Sequence, residues 1–218
     1  MTQFPPGTGY SRAAYRIAWL IAHPFLRLGC FYRCEGAEHF PPSGAAILAP
    51  NHTTYLDPVV MSYAFPRRLL YLAWDQLFTV PALRYIIIRL GAIPVATDES
   101  ADRRAWQTAL AALRAGEAIC IFPEGLRGWD GKLNPLRPGV ARLAVAAGAP
   151  IVPVWIEGGL DVWPRWRLIP RLFRRVRVRV LPPLKPQPTS SASERRAEVL
   201  RLTAELEAVL LAAGGGKV

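Results

Sequence analysis

The chain has 218 residues, 51% of them hydrophobic, and a net charge of +11. This suits one domain with a sizeable core; its 21 Pro and 17 Gly are scattered through an otherwise apolar pattern, which excludes a disordered chain. The charge calls for an anionic partner, whether a membrane surface, a nucleic acid or an acidic protein, while Cys30, Cys34 and Cys120 make neither a metal set nor an even disulfide framework and read as reduced thiols.

Residues 10–28 are apolar and aromatic around Ile17 to Ala22, but Arg16, His23 and Pro24 interrupt them. A spanning helix needs about 20 mostly apolar residues, and this run falls short. Residues 1–10 carry no basic charge and no small-residue cleavage site follows, which argues against a signal peptide. Two readings stand. One is an interfacial helix, with Tyr15, Trp19 and Phe25 among lipid headgroups and Arg12, Arg16 and Arg27 reaching phosphates. The other is a helix packed on the core. On the interfacial reading the chain divides into a membrane-contact helical segment, 1–34, and an α/β domain, 35–218.

After a turn-rich link at 38–44, residues 45–49 read as a strand. Asn51-His52-Thr53-Thr54-Tyr55-Leu56-Asp57 follows, and Asp57-Pro58 opens a helix, since proline is tolerated in a first turn and aspartate favours helix starts. Residues 69–73 form the next strand, 80–91 an apolar helix, 92–96 a short strand and 101–114 a helix ended near Gly116. A strand at 119–122 runs into Phe122-Pro123-Glu124-Gly125-Leu126-Arg127-Gly128. A helix at 140–147 stops at Gly148, and 151–156 is a strand carrying Pro153. The pattern is that of an α/β fold with a mostly parallel or mixed central sheet flanked by helices.

His52 and Asp57 are the chemical centre of this reading. A carboxylate that accepts from one ring nitrogen leaves the other free to take a proton from a substrate hydroxyl. Taken alone the spacing is weak, because a helix-capping Asp beside a surface His gives the same letters. The Phe-Pro-Glu-Gly block strengthens it. Both stretches lie after strands, and open α/β sheets bind ligands at the carboxyl ends of their strands.

At these residues the chain resembles the glycerophospholipid acyltransferases typified by lysophosphatidic acid acyltransferase. Asn51, His52 and Asp57 match the family's Asn-His-x4-Asp block. Residues 122–128 match its Phe-Pro-Glu-Gly-Thr-Arg-Ser block, Gly139 to Ala144 its Gly-x-Ala-Arg-Leu-Ala helix, and Ile151 to Val154 its Val-Pro-Val strand. The resemblance implies acyl transfer from an acyl thioester, acyl-CoA or acyl carrier protein, to a lysophospholipid acceptor such as 1-acyl-glycerol-3-phosphate at an anionic membrane surface. It implies His52 as general base, Asp57 as its orienting partner, and Glu124, Gly125 and Arg127 around the acceptor. Asn51 would fix its turn, and Pro153 would be structural near the site. No cofactor and no metal is expected.

One position departs from the family. Where its second block ends in an arginine thought to help hold the acceptor phosphate, this chain has Thr97. A hydroxyl donates one hydrogen bond but does not neutralise a phosphate. Arg103 or Arg104 would have to substitute, or the acceptor is another lyso-lipid, such as an ornithine lipid or a glycolipid. A catalytically silent lipid-binding relative is disfavoured by the intact His52 and Asp57. A nucleic-acid-binding module fits the charge but shows no helix-turn-helix, zinc or RNA-binding signature, so no nucleic-acid partner is expected.

From 163 to 193 the chain has eight basic residues and no acidic one. Val176-Arg177-Val178-Arg179-Val180 alternates with period two and reads as a strand with its valines inward. This stretch, with Trp163 and Trp166, either lies on anionic lipid or is a solvated edge strand kept from pairing by its charges. A last helix runs from 193 to about 213, with Glu194, Glu198 and Arg201 expected on its wet face.

Overall fold

The computed structural model describes residues 11–65, 67–95, 99–164, 166–167 and 169–216. Helix α1 (Arg12–Pro24) is capped by Ser11, whose hydroxyl accepts the Ala14 N–H. It passes into a π-turn at Phe25–Gly29 and then β1 (Arg33–Glu35). There follow β2 (Ala46–Pro50), α2 (Asp57–Ala64), β3 (Leu69–Trp74), α3 (Pro81–Arg89), β4 (Ala92–Val95), α4 (Glu99–Arg114), β5 (Ala118–Cys120), α5 (Gly139–Ala147), β6 (Ile151–Glu157), the short α6 (Gly159–Val162), β7 (Arg177–Val180) and α7 (Ala192–Ala213).

The seven strands form one sheet in the order β1-β7-β6-β2-β5-β3-β4, and every neighbouring pair is parallel except β6 with β7. The expected α/β architecture is thus observed. Ala46, Ile47, Leu48 and Ala49 are all buried, as a central parallel strand covered on both faces requires. Leu48, Met61, Leu69, Cys120 and Val152 belong to one core cluster, and Ile47, Leu70, Ile119, Leu143 and Leu206 to the other.

Three points differ from the sequence reading. First, β1 spans the expected boundary at residue 34, and Leu26, Cys30 and Tyr32 pack into the main core. Secondly, β7 buries Val178 and Val180 as expected, yet it is not an edge strand, because β1 pairs along its other side. Its charges are used within the chain: Arg177 pairs with Glu35 and Glu157, and Arg179 donates to the Ala213 carbonyl. Thirdly, Glu198 is buried rather than on the wet face of α7. It accepts the Gln187 N–H at 2.7 Å and two bonds from Arg201, tying the helix to the segment before it.

Helix α1 lays one face on α2. Tyr15 donates to the Ser62 carbonyl, Trp19 stacks on Tyr63, and Tyr63 bonds His23 at 2.9 Å. Ile17, Leu20 and Ile21 on its other face are exposed. No helix among the described residues is long and apolar enough to cross a membrane.

Candidate active site

The carboxyl ends of β2, β5 and β6 lie side by side, and the two loops singled out in the sequence leave from the first two. Asp57 opens α2, but its side chain turns back onto the loop ahead of it and is fully buried. Its Oδ2 accepts the Thr53 N–H at 2.7 Å and the Thr54 N–H at 2.8 Å, and lies 2.9 Å from Nδ1 of His52. Its Oδ1 accepts the Thr54 hydroxyl at 2.7 Å. With the carboxylate as acceptor, Nδ1 is the donor of this contact, and Nε2 is the ring nitrogen that Asp57 does not engage. The helix-capping alternative does not describe this geometry. Asp57 bonds residues before the helix, and the N-cap residue, Leu56, makes no side-chain cap bond.

The imidazole is held on several sides. Its ring stacks on Phe122, with centroids 3.8 Å apart, and its side chain keeps 17% exposure. The His52 N–H donates to Glu124 Oε1 at 2.7 Å, and the His52 carbonyl accepts the Gly128 N–H at 2.8 Å. Residues 72 apart in sequence are therefore joined by one hydrogen bond.

Glu124 is buried, and both of its oxygens are engaged by the chain. Oε2 accepts the Asn134 backbone N–H at 2.9 Å and its side-chain amide at 2.8 Å. Burial pushes this carboxyl up from its ordinary value, against the pull of the hydrogen bonds from Asn134 and His52. Gly125 has φ of +74°, and a Cβ there would fall 2.8 Å from Nε of Arg137. The close approach that this glycine permits is thus made by the chain's own arginine.

Arg127 stands differently. Its guanidinium lies 3.5 Å over the Tyr55 ring, a cation–π contact. Its Nη1 is buried and makes no hydrogen bond among the described residues. Asn51 bonds across the sheet rather than within its own turn. Its amide donates to the Ile156 carbonyl at 3.1 Å and accepts the Ile156 N–H at 2.6 Å, extending the β2–β6 ladder past the end of β2. Pro153 is buried in β6 opposite Ala49, and its carbonyl accepts the Leu181 N–H. Thr97 lies outside the described residues, and Arg103 and Arg104 are exposed on α4.

The sequence reading missed Asn134, Phe122, Thr54, Tyr55, Arg137 and Gly159 as parts of the site. Phe122 and Tyr55 stood inside the quoted blocks, where adjacency was a usable signal. Gly159 carried a weaker one in the Gly158-Gly159 pair: a Cβ there would lie 3.2 Å from Thr53 Oγ1 and 3.3 Å from Asp57 Oδ1. Asn134 had none, since ten residues of loop separate it from its partner carboxylate.

The site is thus a histidine braced by a buried carboxylate, at the carboxyl ends of adjacent parallel strands of an α/β sheet. The acyltransferase family model matches residues 32–157, and the chain belongs to that family. It is 29% identical over 185 residues to the 1-acyl-sn-glycerol-3-phosphate acyltransferase alpha of Bos taurus, covering 81% of this chain and 63% of that one. It is 31% identical over 126 residues to the 1-acyl-sn-glycerol-3-phosphate acyltransferase of Borreliella burgdorferi, covering 55% and 48%. The chain therefore spans less than two thirds of these relatives. In fold it is similar to the crystal structure of the 1-acyl-sn-glycerophosphate acyltransferase from Thermotoga maritima, with a TM-score of 0.65, 24% identity, and 91% and 78% coverage.

Proposed function

We propose that this chain transfers a fatty acyl group from an acyl thioester, acyl-CoA or acyl carrier protein, to the hydroxyl of a lysophospholipid, with 1-acyl-glycerol-3-phosphate as the leading acceptor. The observation that carries the chemistry is the 2.9 Å contact between His52 Nδ1 and the buried Asp57, which leaves Nε2 to act as base. The acceptor hydroxyl gives its proton to Nε2 as its oxygen attacks the thioester carbonyl. Asp57 holds the resulting imidazolium. Collapse of the tetrahedral adduct expels the thiolate, which takes the proton from His52 and leaves as thiol. The substrate supplies the nucleophile, so no acyl-enzyme is required.

Arg127 is the acceptor-binding cation in this reading, because a buried guanidinium N–H lacking a protein partner is suited to an anionic ligand. Glu124 acts as a positioning residue for the His52 backbone, since its oxygens already serve His52 and Asn134. Gly125 contributes by admitting Arg137. The exposed Ile17, Leu20 and Ile21 of α1 support a peripheral or monotopic seat on an anionic bilayer, which we place on the cytoplasmic face of the cell membrane.

Thr97 favours a second reading of the same chemistry, with an ornithine lipid or glycolipid as acceptor. The test is acyl transfer by the purified protein against a panel of lyso-acceptors, with acyl-CoA and acyl carrier protein donors, read by mass spectrometry. The expected product is a diacylated glycerol phosphate. Transfer only to acceptors without a phosphate monoester overturns the acceptor assignment, and no transfer to any acceptor overturns the function.

A further inference from the structure

Two phenylalanines, Phe31 and Phe173, adopt left-handed backbone conformations, with φ of 41° and 58°. These are the two non-glycine residues of positive φ among the described residues. A bulky side chain enters that region against steric resistance, and glycine is the residue that serves it freely. The pair meets: the Phe173 N–H donates to the Gly29 carbonyl, and the ring centroids lie 6.3 Å apart. Neither ring is taken into the core. Phe31 is 50% exposed and Phe173 69%, and the neighbouring Leu28 and Leu172 are exposed with them. The fold thus keeps two large apolar rings at a turn where glycine would be easier, and points both outward.

The surroundings say what covers them. Arg27, Arg171, Arg174 and Arg175, within four residues of one ring or the other in sequence, are exposed. Behind Phe31 a groove also holds Arg33, Arg177, Glu157 and Asp161. Glu35 and Glu157 are bound to Arg177, so cations outnumber carboxylates across this face. The register fixes where the face points. Arg177 pairs with both Arg33 and Glu157, so the starts of β1 and β7 lie at the end of the sheet where β2 delivers His52.

We infer that Phe31 and Phe173 form an aromatic wedge, ringed by arginines, that inserts into an anionic lipid surface on the β1–β7 side of the site. The apolar rings enter the headgroup region and the arginines meet lipid phosphates. Phe31 and Phe173 both lie outside α1. The wedge rests on the reading that the acceptor is a membrane lipid, since it brings the His52 end of the sheet against the bilayer.

The test uses the full chain and vesicles of phosphatidylcholine with and without phosphatidylglycerol. Glycine fits both backbone positions, so Phe31→Gly/Phe173→Gly should fold with an unchanged or raised Tm. Its partitioning to the phosphatidylglycerol vesicles should fall about tenfold or more, as loss of two buried rings predicts. Arg171→Gln/Arg174→Gln/Arg175→Gln should lose the preference for phosphatidylglycerol. In the wild-type chain, hydrogen exchange at 29–33 and 171–175 should slow when those vesicles are added. A folded glycine variant that partitions like wild type, or wild-type exchange that vesicles leave unchanged, overturns the wedge. So does a lipid-free dimer of the wild type that the glycine variant dissolves while vesicle binding stays intact, because the rings would then be covered by a second copy. Vesicle binding needs no turnover. If partitioning falls as stated while no acceptor is acylated, the wedge stands and the proposed function falls.

Discussion

The two carboxylates of the site and its arginine are built on opposite plans. Asp57 and Glu124 are buried, and each of their oxygens accepts hydrogen bonds from the chain itself. Arg127 sits a few residues from Glu124, yet its buried Nη1 has no hydrogen-bonding partner among the described residues. A group whose valences are filled internally positions its neighbours. A donor left open at the same place is the feature on which the proposed acceptor contact rests. Sequence alone ranks all three as candidate site residues, and only their hydrogen-bond inventories set them apart.

The sharpest way to break this distinction is at the base. His52→Ala should lower kcat by about 10³- to 10⁴-fold without unfolding the chain, measured by initial rates beside circular dichroism. Asp57→Asn should cost nearly as much, and the double variant no more than His52→Ala, because the two act as one unit. A folded His52→Ala that keeps near-normal turnover removes the base assignment.

Arg127→Ala should raise KM for the acceptor by about 10- to 100-fold with kcat little changed, as loss of roughly 1.5–3 kcal/mol of charged hydrogen bonding requires. If kcat falls and KM does not, Arg127 belongs with the supporting groups and the contrast fails.

Glu124→Gln tests the other side. Its amide presents a donor to either the His52 N–H or the Asn134 donors, so stability should fall by about 1–3 kcal/mol in a denaturant titration. Because His52 is displaced with it, kcat should fall while acceptor KM holds. A pure rise in KM would show that Glu124 touches the acceptor after all.

The smallest effect is expected at Thr97. Thr97→Arg should lower KM for lysophosphatidic acid by a few-fold, about 1 kcal/mol, if that acceptor is correct. If Arg103 or Arg104 already supplies the second cation, the substitution should do nothing or weaken binding by like-charge repulsion, and Arg103→Ala or Arg104→Ala should then mimic Arg127→Ala.

Much of this architecture was legible in the letters. Apolar runs of strand length at 45–49, 69–73 and 151–156 declare buried parallel strands, because a strand covered on both faces has no polar side to show. The alternation of Val176 to Val180 declares its own inward face. His52 and Asp57 are neighbours in sequence, so their pairing is a local matter of one loop and one helix start. Arg33-Cys34-Glu35, by contrast, carries no strand signal. It is a strand because β7 offers it a ladder, and that pairing joins residues 33 and 177.

The chain by itself determined most of the elements, the histidine–carboxylate pair and the family to which it belongs, since each depends on short-range periodicity, a local turn or contiguous motif letters. Tertiary structure alone decided which groups are satisfied. It set Glu124 against the His52 backbone and Asn134, made Asn51 a bridge to Ile156, buried Glu198 and left the Arg127 Nη1 open. The physical reason is that hydrogen-bond satisfaction is a property of three-dimensional neighbours. Nothing in residues 122–128 records that a loop ten residues away will occupy one carboxylate oxygen and a strand end the other.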